Sequence, residues 1–215
     1  ASQELQPMVQ RLLGSLKSQE DEPGIVASRA FRRTVYGDYP YGFPEIGTAE
    51  TLPKITANDL IKFHRQYYHP NNAILTIVGD LTEDEAQNLV TEFFGHWEAG
   101  ELPPPPPAPS SRLTKPTLVK LNKDITQANI ILGQIGLKRT DPDFYAFQVM
   151  NYILGGGGFA SRLMDNIREN RGLVYNVNSG FEPGMEPGPF YVSLETKNAS
   201  GGQAVTGGLG GQWSP

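Results

Sequence analysis

The sequence predicts an α+β fold, in which helices and strands are segregated, rather than a doubly wound parallel sheet. Five consecutive prolines at 103–107 divide the chain into two patterned stretches. Each stretch contains apolar residues at helical spacing together with short runs rich in β-branched residues. We therefore expect two α+β units that follow one another along the chain.

The proline run is a predicted linker between these units. Proline fixes φ and lacks a backbone N–H, so five in succession exclude a helix and leave an extended connector. Such a run can also bind an aromatic groove of a partner, but its place between two patterned stretches favours a linker. The predicted organisation is a first unit over 1–100, a linker over 101–116, a second unit over 117–200 and a glycine-rich flexible tail over 201–215.

Three helices are predicted at the start of the first unit. Pro7 suits a first helical turn, and the apolar residues after it recur at helical spacing. These residues are Met8, Val9, Leu12, Leu13 and Leu16. A second helix is expected over 25–34. Thr56 and Asp59 form a capping pair for a third helix, which ends before Pro70. Its apolar face carries Leu60, Phe63, His64 and Tyr67.

A strand and a fourth helix complete the first unit. Residues 73–78 are nearly all apolar and mostly β-branched, which predicts a buried strand. Thr82 and Glu85 form a second capping pair. The helix that follows carries a single apolar stripe, made of Ala86, Leu89, Val90, Phe93 and Phe94.

The second unit is predicted to begin with two strands, over 118–121 and 128–135. A helix then opens at Asp141 and Pro142 and stops at Gly155. Its inward residues are expected to be Ala146, Val149, Met150, Ile153 and Leu154.

A shorter helix and two strands follow the glycine run. Leu163, Met164 and Ile167 form the apolar side of this helix, and Gly172 can close it in the left-handed conformation. Alternating apolar residues then predict two further strands. The first contains Leu173, Tyr175 and Val177, and the second contains Phe190, Val192 and Leu194.

Composition excludes several classes of function. The absence of cysteine excludes disulfides, thiolate metal sites and a cysteine nucleophile. The net charge of -5, without clustered Lys and Arg, makes nucleic acid an unsuitable partner. The longest apolar run, at 73–78, is far shorter than the ~20 residues of a membrane-spanning helix, so we expect a soluble chain. The compartment stays open, because bacterial periplasm and cytoplasm both suit this composition.

Several short segments on both sides of the linker form a recognisable pattern. On the first side of the linker they are Tyr-Pro-Tyr-Gly at 39–42, Gly-Thr at 47–48, Ile-Thr at 55–56 with Asp-Leu at 59–60, Tyr-His-Pro-Asn-Asn-Ala at 68–73 and Ile-Val-Gly-Asp at 77–80. On the second side they are Leu-Gly-Gly-Gly-Gly-Phe-Ala-Ser-Arg-Leu at 154–163 and Ile-Arg-Glu-Asn-Arg-Gly-Leu-Val-Tyr at 167–175. In this order and spacing they closely resemble the pitrilysin and insulinase-like (M16) zinc peptidases. The chain is similar to the latter part of one M16 half followed by the first part of the next.

The resemblance implies homologous α+β halves, each a mainly antiparallel sheet packed with helices, facing one another across a chamber that holds a peptide. In this family one half carries His-x-x-Glu-His, whose histidines bind zinc and whose glutamate activates water, and a further glutamate completes the site. The opposing half contributes an arginine and a tyrosine, seven residues apart, that contact the substrate backbone.

This chain lacks the zinc-binding residues of that pattern, so we expect no metal site and no catalytic residue in it. Its histidines, His64, His69 and His96, have no Glu-His continuation. The resemblance places the third ligand at Ser15, and no Asp or Glu occurs over 5–19. A serine cannot serve as an anionic zinc ligand, which favours a noncatalytic homologue over an enzyme whose metal-binding segment lies upstream.

The substrate-binding pair is retained as Arg168 and Tyr175. Guanidinium and phenol groups donate hydrogen bonds, so both suit a peptide carbonyl. Each also has a structural interpretation, since an arginine complements a helix C-terminus and a tyrosine packs on a strand face. The glycines Gly156, Gly157 and Gly158 suggest a flexible loop near bound peptide or simply a tight bend between helices.

Three functions follow from these expectations. The favoured one is a noncatalytic M16-like subunit or domain that binds peptide or unfolded polypeptide and completes the chamber of a zinc-bearing partner, as a homodimer or heterodimer. In that case zinc belongs to the partner. The alternatives are part of an active zinc endopeptidase with His-x-x-Glu-His upstream of this chain, and a purely structural scaffold subunit that dispenses with Arg168 and Tyr175.

Overall fold

The computed structural model describes residues 2–105, 107–109, 113 and 115–205. Its α-helices are α1 (Ser2–Glu20), α2 (Pro23–Tyr36), α3 (Ala57–Tyr67), α4 (Glu83–Phe94), α5 (Phe144–Asn151) and the short α6 (Gly201–Gln203). Its strands are β1 (Gln127–Ile135), β2 (Asn176–Phe181) and β3 (Pro189–Lys197). Two stretches, Tyr152–Gly156 and Met164–Glu169, form π-helical turns.

Two compact units form, and they do not follow the order of the chain. One unit consists of the residues up to Leu13 together with Ala49–Pro107. The other consists of Gly14–Thr48 together with the described residues from Ala108 onward. The assignment of 1–100 and 117–200 to two successive family halves stays a prediction.

In the unit that contains Ala49–Pro107, both predicted capping pairs form. The Thr56 hydroxyl accepts a hydrogen bond from Asp59 N (3.2 Å), and the Asp59 carboxylate accepts one from Thr56 N (2.9 Å). Thr82 and Glu85 repeat this exchange at α4. These hydrogen bonds with Thr56 and Thr82 lower the pKa of both carboxyls. The helices thus begin where local chemistry predicts, although neither α3 nor α4 contains a buried residue.

The predicted strands at 73–78 and 118–121 do not form, and both predictions are wrong for this structure. The two segments lie within the described residues but outside its sheet, and Val78 and Leu118 are each 93% exposed. The run at 73–78 is rich in β-branched residues, whereas 118–121 contains only Val119. A strand, however, also needs a neighbour for its N–H and C=O groups, and composition does not reveal whether the chain supplies one.

The other unit is built on an antiparallel sheet with the strand order β1-β3-β2. In β3 the predicted alternation is confirmed, because Phe190, Val192 and Leu194 are buried. Leu163, Met164 and Ile167, which the sequence predicts to lie on one helix, pack into the same core cluster as Val177, Val192 and Leu194. A helix-on-sheet arrangement with antiparallel pairing confirms the predicted α+β class.

The α5 helix begins later than the sequence predicts, and its predicted inward face is confirmed only in part, by Leu154, which packs against the core just beyond the helix end. It starts at Phe144 instead of Asp141, and Val149 and Ile153 are exposed. Phe144 and Phe147 of this helix point inward. The centre of the Phe147 ring lies 4.5 Å from the centre of the Phe181 ring and 5.2 Å from that of the Phe190 ring. Aromatic rings bury more area than aliphatic side chains, so they set the rotation of this short helix.

The predicted tail is partly structured. The short helix α6 is followed by Ala204, which is fully buried in the core beside Leu194. Residues 201–205 are therefore not a featureless tail, because one small side chain anchors a glycine-rich stretch. The remainder of the predicted tail, 206–215, lies outside the described residues. Within the described ranges, no helix combines the length and apolarity needed to cross a membrane.

Candidate functional site

Arg168 lies at the edge of the core because of the residues around it. Leu163, Met164 and Ile167 are buried in the core with residues of the sheet, and the last two lie in the π-helical turn Met164–Glu169. Arg168 follows Ile167 and is rotated away from that face, which leaves its side chain 37% exposed. The helix thus holds the Arg168 backbone firmly and leaves its guanidinium partly accessible.

Two neighbours contact the Arg168 guanidinium. Its Nη1 lies 3.3 Å from Glu169 Oε1, and its Cζ lies 5.3 Å from the centre of the Phe159 ring. The ion pair is exposed and contributes little to stability. Both contacts restrict where the guanidinium can point while leaving donors that can bind a further acceptor.

A left-handed turn connects Arg168 to Tyr175. Gly172 has φ +62°, as the sequence predicts, and its N–H donates to the Arg168 carbonyl at 2.9 Å. The N–H of Leu173 donates to Ile167 at 3.1 Å, which closes the helix. A residue with a Cβ is disfavoured at this φ, so glycine permits the chain to turn directly into β2.

Tyr175 lies at the entrance to β2. Its backbone N–H donates to the Glu195 carbonyl at 2.8 Å, which fixes its backbone against β3. Its side chain is 50% exposed, in contrast to Val177 two residues later, which is buried. The Tyr175 side chain is therefore half exposed, and its packing on the strand face and its binding of a peptide both stay predictions.

The glycine run has one end packed and one end open. Gly155 is buried against β2, whereas Gly156 and Gly158 are exposed. Gly158 has φ +62°, and its carbonyl accepts hydrogen bonds from both the backbone N–H (3.0 Å) and the hydroxyl (2.6 Å) of Ser161. The loop is thus a defined turn between helices, and it presents Phe159 to solvent.

Sequence reasoning did not single out Phe159 as a functional candidate. It appears in the sequence only as the residue after four glycines. Its contact with Arg168, nine positions later, depends on the turn at Gly158. The one available signal was an aromatic residue in a glycine-rich motif, where burial in a core is not expected.

The described residues do not fit the zinc ion that the family pattern implies. Ser15 is exposed on α1, and its hydroxyl accepts a hydrogen bond from Gln19 at 3.4 Å. His64 stacks on Tyr68, with ring centres 4.7 Å apart. No group of three or more His, Asp or Glu side chains in the described part of the chain could hold a metal ion.

A second polar cluster joins α2 to the sheet. Arg32 of α2 forms an ion pair with Glu182. Burial, with added repulsion from Glu182, raises the pKa of Tyr191. Burial likewise raises the pKa of Tyr36, whose hydroxyl donates to the Pro187 carbonyl at 3.1 Å. These contacts fix α2 in place and account for the cluster without a ligand.

The family is decided by sequence comparison. A model of the domain described as "Peptidase M16 inactive domain" matches residues 54–206. The chain belongs to the M16 peptidase family. It is an inactive-type M16 domain of zinc protease-like proteins, which confirms the resemblance seen in the motifs.

Relatives of this M16 domain carry names that refer to zinc proteases. An uncharacterized zinc protease of Streptomyces coelicolor is 32% identical over 175 residues, which cover 78% of this chain and 38% of that protein. An uncharacterized zinc protease of Bacillus subtilis is 30% identical over 168 residues, which cover 76% of this chain and 39% of that protein. The chain thus spans about two fifths of the length of these curated relatives.

Solved structures share the fold of this M16 domain. The crystal structure of a peptidase M16 inactive domain from Pseudomonas fluorescens has a TM-score of 0.87 at 32% identity, over 95% of this chain and 50% of that one. A protease from Helicobacter pylori has a TM-score of 0.84 at 21% identity, over 96% of this chain and 51% of that one, which shows the fold alone.

Proposed function

We propose that this M16 domain is noncatalytic, binds an extended peptide and completes the chamber of a zinc-bearing M16 partner. One observation carries the proposal: Arg168 and Tyr175 lie at the two ends of one left-handed turn, with fixed backbones and partly exposed side chains. Such an arrangement offers hydrogen-bond donors on an otherwise packed helix-on-sheet scaffold.

The chemistry of the two side chains suits a peptide backbone. The guanidinium donates through several N–H groups and carries a positive charge, while the phenol donates one O–H. Each can bind a carbonyl oxygen, and the charged donor also stabilises negative charge that develops on that oxygen during hydrolysis. In this proposal Arg168 and Tyr175 orient the chain being cut, and the partner supplies metal and hydrolysis.

Two observations support a noncatalytic role. Ser15 stands at the place that the resemblance assigns to the third zinc ligand, and residues 5–19 contain no carboxylate. The matched family model and the solved Pseudomonas fluorescens structure are both described as an inactive domain. We infer that the partner in the assembly is a second M16 subunit, identical or different, that carries the complete metal site.

The second candidate function is part of a zinc endopeptidase. It is favoured by the names of the relatives and by their length, since this chain matches 38% of the Streptomyces coelicolor protein. If a His-x-x-Glu-His sequence is encoded immediately upstream of this chain, it supports this candidate. Another residue must then serve as the zinc ligand in place of Ser15.

Equilibrium binding tests the proposed function directly. The full 215-residue chain is titrated into a labelled, unstructured peptide, and anisotropy and mass spectrometry follow binding and peptide integrity. We expect saturable binding that an unlabelled peptide displaces, and an intact peptide at the end. An absence of saturable binding contradicts the proposal. Cleavage by a longer protein that includes the segment encoded upstream of residue 1 favours the endopeptidase instead.

A further inference from the structure

Phe159 is held in place by the turn that presents it. The left-handed Gly158 begins a short 3-10 turn, Gly158–Ala160, and the buried Ser161 closes this turn with two hydrogen bonds to the Gly158 carbonyl. The Phe159 ring itself is 76% exposed. Its backbone is thus anchored, while its side chain adds little to the core.

The Phe159 ring lies beside the Arg168 guanidinium. The guanidinium carbon lies 5.3 Å from the ring centre, within the range of a cation–π contact, and Glu169 contacts the guanidinium at 3.3 Å. An arginine side chain has many rotamers, and it loses conformational entropy when it binds a ligand in one of them. A ring and a carboxylate that already restrict those rotamers reduce that loss.

We propose that Phe159 is a positioning residue for Arg168, so that the glycine turn acts on bound peptide through the guanidinium and not through its own amides. This inference rests on the proposed function, since it assumes that Arg168 contacts the peptide. The aromatic ring restricts the guanidinium to orientations in which its remaining N–H groups face a peptide carbonyl.

Substitutions of Phe159 test the inference by affinity. An exposed cation–π contact corresponds to about a two- to fivefold change in a binding constant. We expect Phe159→Leu to weaken peptide binding by about that factor. Phe159→Tyr is expected to keep the wild-type affinity, because tyrosine keeps the aromatic face. In a chain that already carries Arg168→Ala, Phe159→Leu is expected to have no further effect.

An NMR measurement reads the contact without any peptide. The Phe159 ring current is expected to shift the Arg168 side-chain protons upfield, and this shift is expected to disappear in Phe159→Leu and persist in Phe159→Tyr. Denaturant unfolding of each variant checks the fold. If Phe159→Leu proves unstable, Phe159→Met gives a second non-aromatic variant.

The outcomes separate the two proposals. If Arg168→Ala leaves peptide affinity unchanged, the peptide-binding role of Arg168 is wrong and the positioning role falls with it. The positioning role of Phe159 is overturned, and the proposed function stands, if Arg168→Ala weakens peptide binding but Phe159→Leu does not change the affinity. The same conclusion follows if Phe159→Leu changes the affinity equally in the presence and in the absence of Arg168.

Discussion

Arg168→Ala is expected to lower kcat/KM for peptide cleavage by the mixture of this chain and a zinc-bearing M16 catalytic subunit by about one to three powers of ten. Removal of one donor that stabilises a developing oxyanion commonly has an effect of this size. Tyr175→Phe deletes only a hydroxyl and is expected to act in the same direction. Initial rates over a range of peptide concentrations measure both effects.

The control for Arg168→Ala is Arg65→Ala. Arg65 lies exposed on α3, so this variant removes the same charge from a different unit. It is expected to leave kcat/KM unchanged. Denaturant unfolding must show that Arg168→Ala is folded, since an arginine near a helix end also complements the helix dipole. Equal rates for the wild-type and Arg168→Ala mixtures return Arg168 to a structural role.

Gly155→Ala is expected to destabilise the unit that contains the sheet by about 3 kcal/mol. A Cβ at this position would overlap the backbone N of Ser179, and it would lie 2.7 Å from Ser179 Oγ and 2.9 Å from Leu163 Cδ1. The π-helical turn Tyr152–Gly156 and β2 then have to move apart. Overpacking of this kind disrupts well-packed cores. The midpoint of urea unfolding measures the change.

Gly14→Ala is the matched control for this substitution. Gly14 lies in α1 and belongs to the same unit, and a Cβ there meets no atom within 4 Å. Alanine is a better helix former than glycine, so the free energy of unfolding of this variant is expected to rise by about 0.5–1 kcal/mol. Unfolding midpoints that move together in the two variants contradict the close packing of Gly155 on β2.

Local chemistry made part of the fold predictable from sequence. The capping pairs at Thr56 and Thr82 depend on side chains three residues apart, and both appear as expected. The left-handed Gly172 and the alternation of β3 are equally local. Patterns of this kind determine where an element begins or ends and which of its residues can share a face.

Non-local pairing explains most of what the sequence did not reveal. The runs at 73–78 and 118–121 have strand composition, but a strand exists only where another segment pairs with it. The rotation of α5 likewise depended on Phe181 and Phe190, which lie far along the chain. No local pattern contains that information.

The candidate site was likewise predictable from the sequence only in part. The spacing of Arg168 and Tyr175 was visible in the sequence through its resemblance to the family, and their role in peptide binding stays a prediction. The contact between Phe159 and Arg168 was not visible, because it depends on the left-handed turn at Gly158. A glycine run indicates that a turn is permitted, but not which side chain the turn presents.

The most direct test of the noncatalytic role is the zinc content of the protein, purified with any segment encoded upstream of residue 1, after incubation with zinc and dialysis. A polypeptide that binds substrate but depends on a partner for metal is expected to retain far less than one zinc ion per chain. Stoichiometric zinc that survives dialysis, released only by a strong chelator, would contradict the role proposed for this domain.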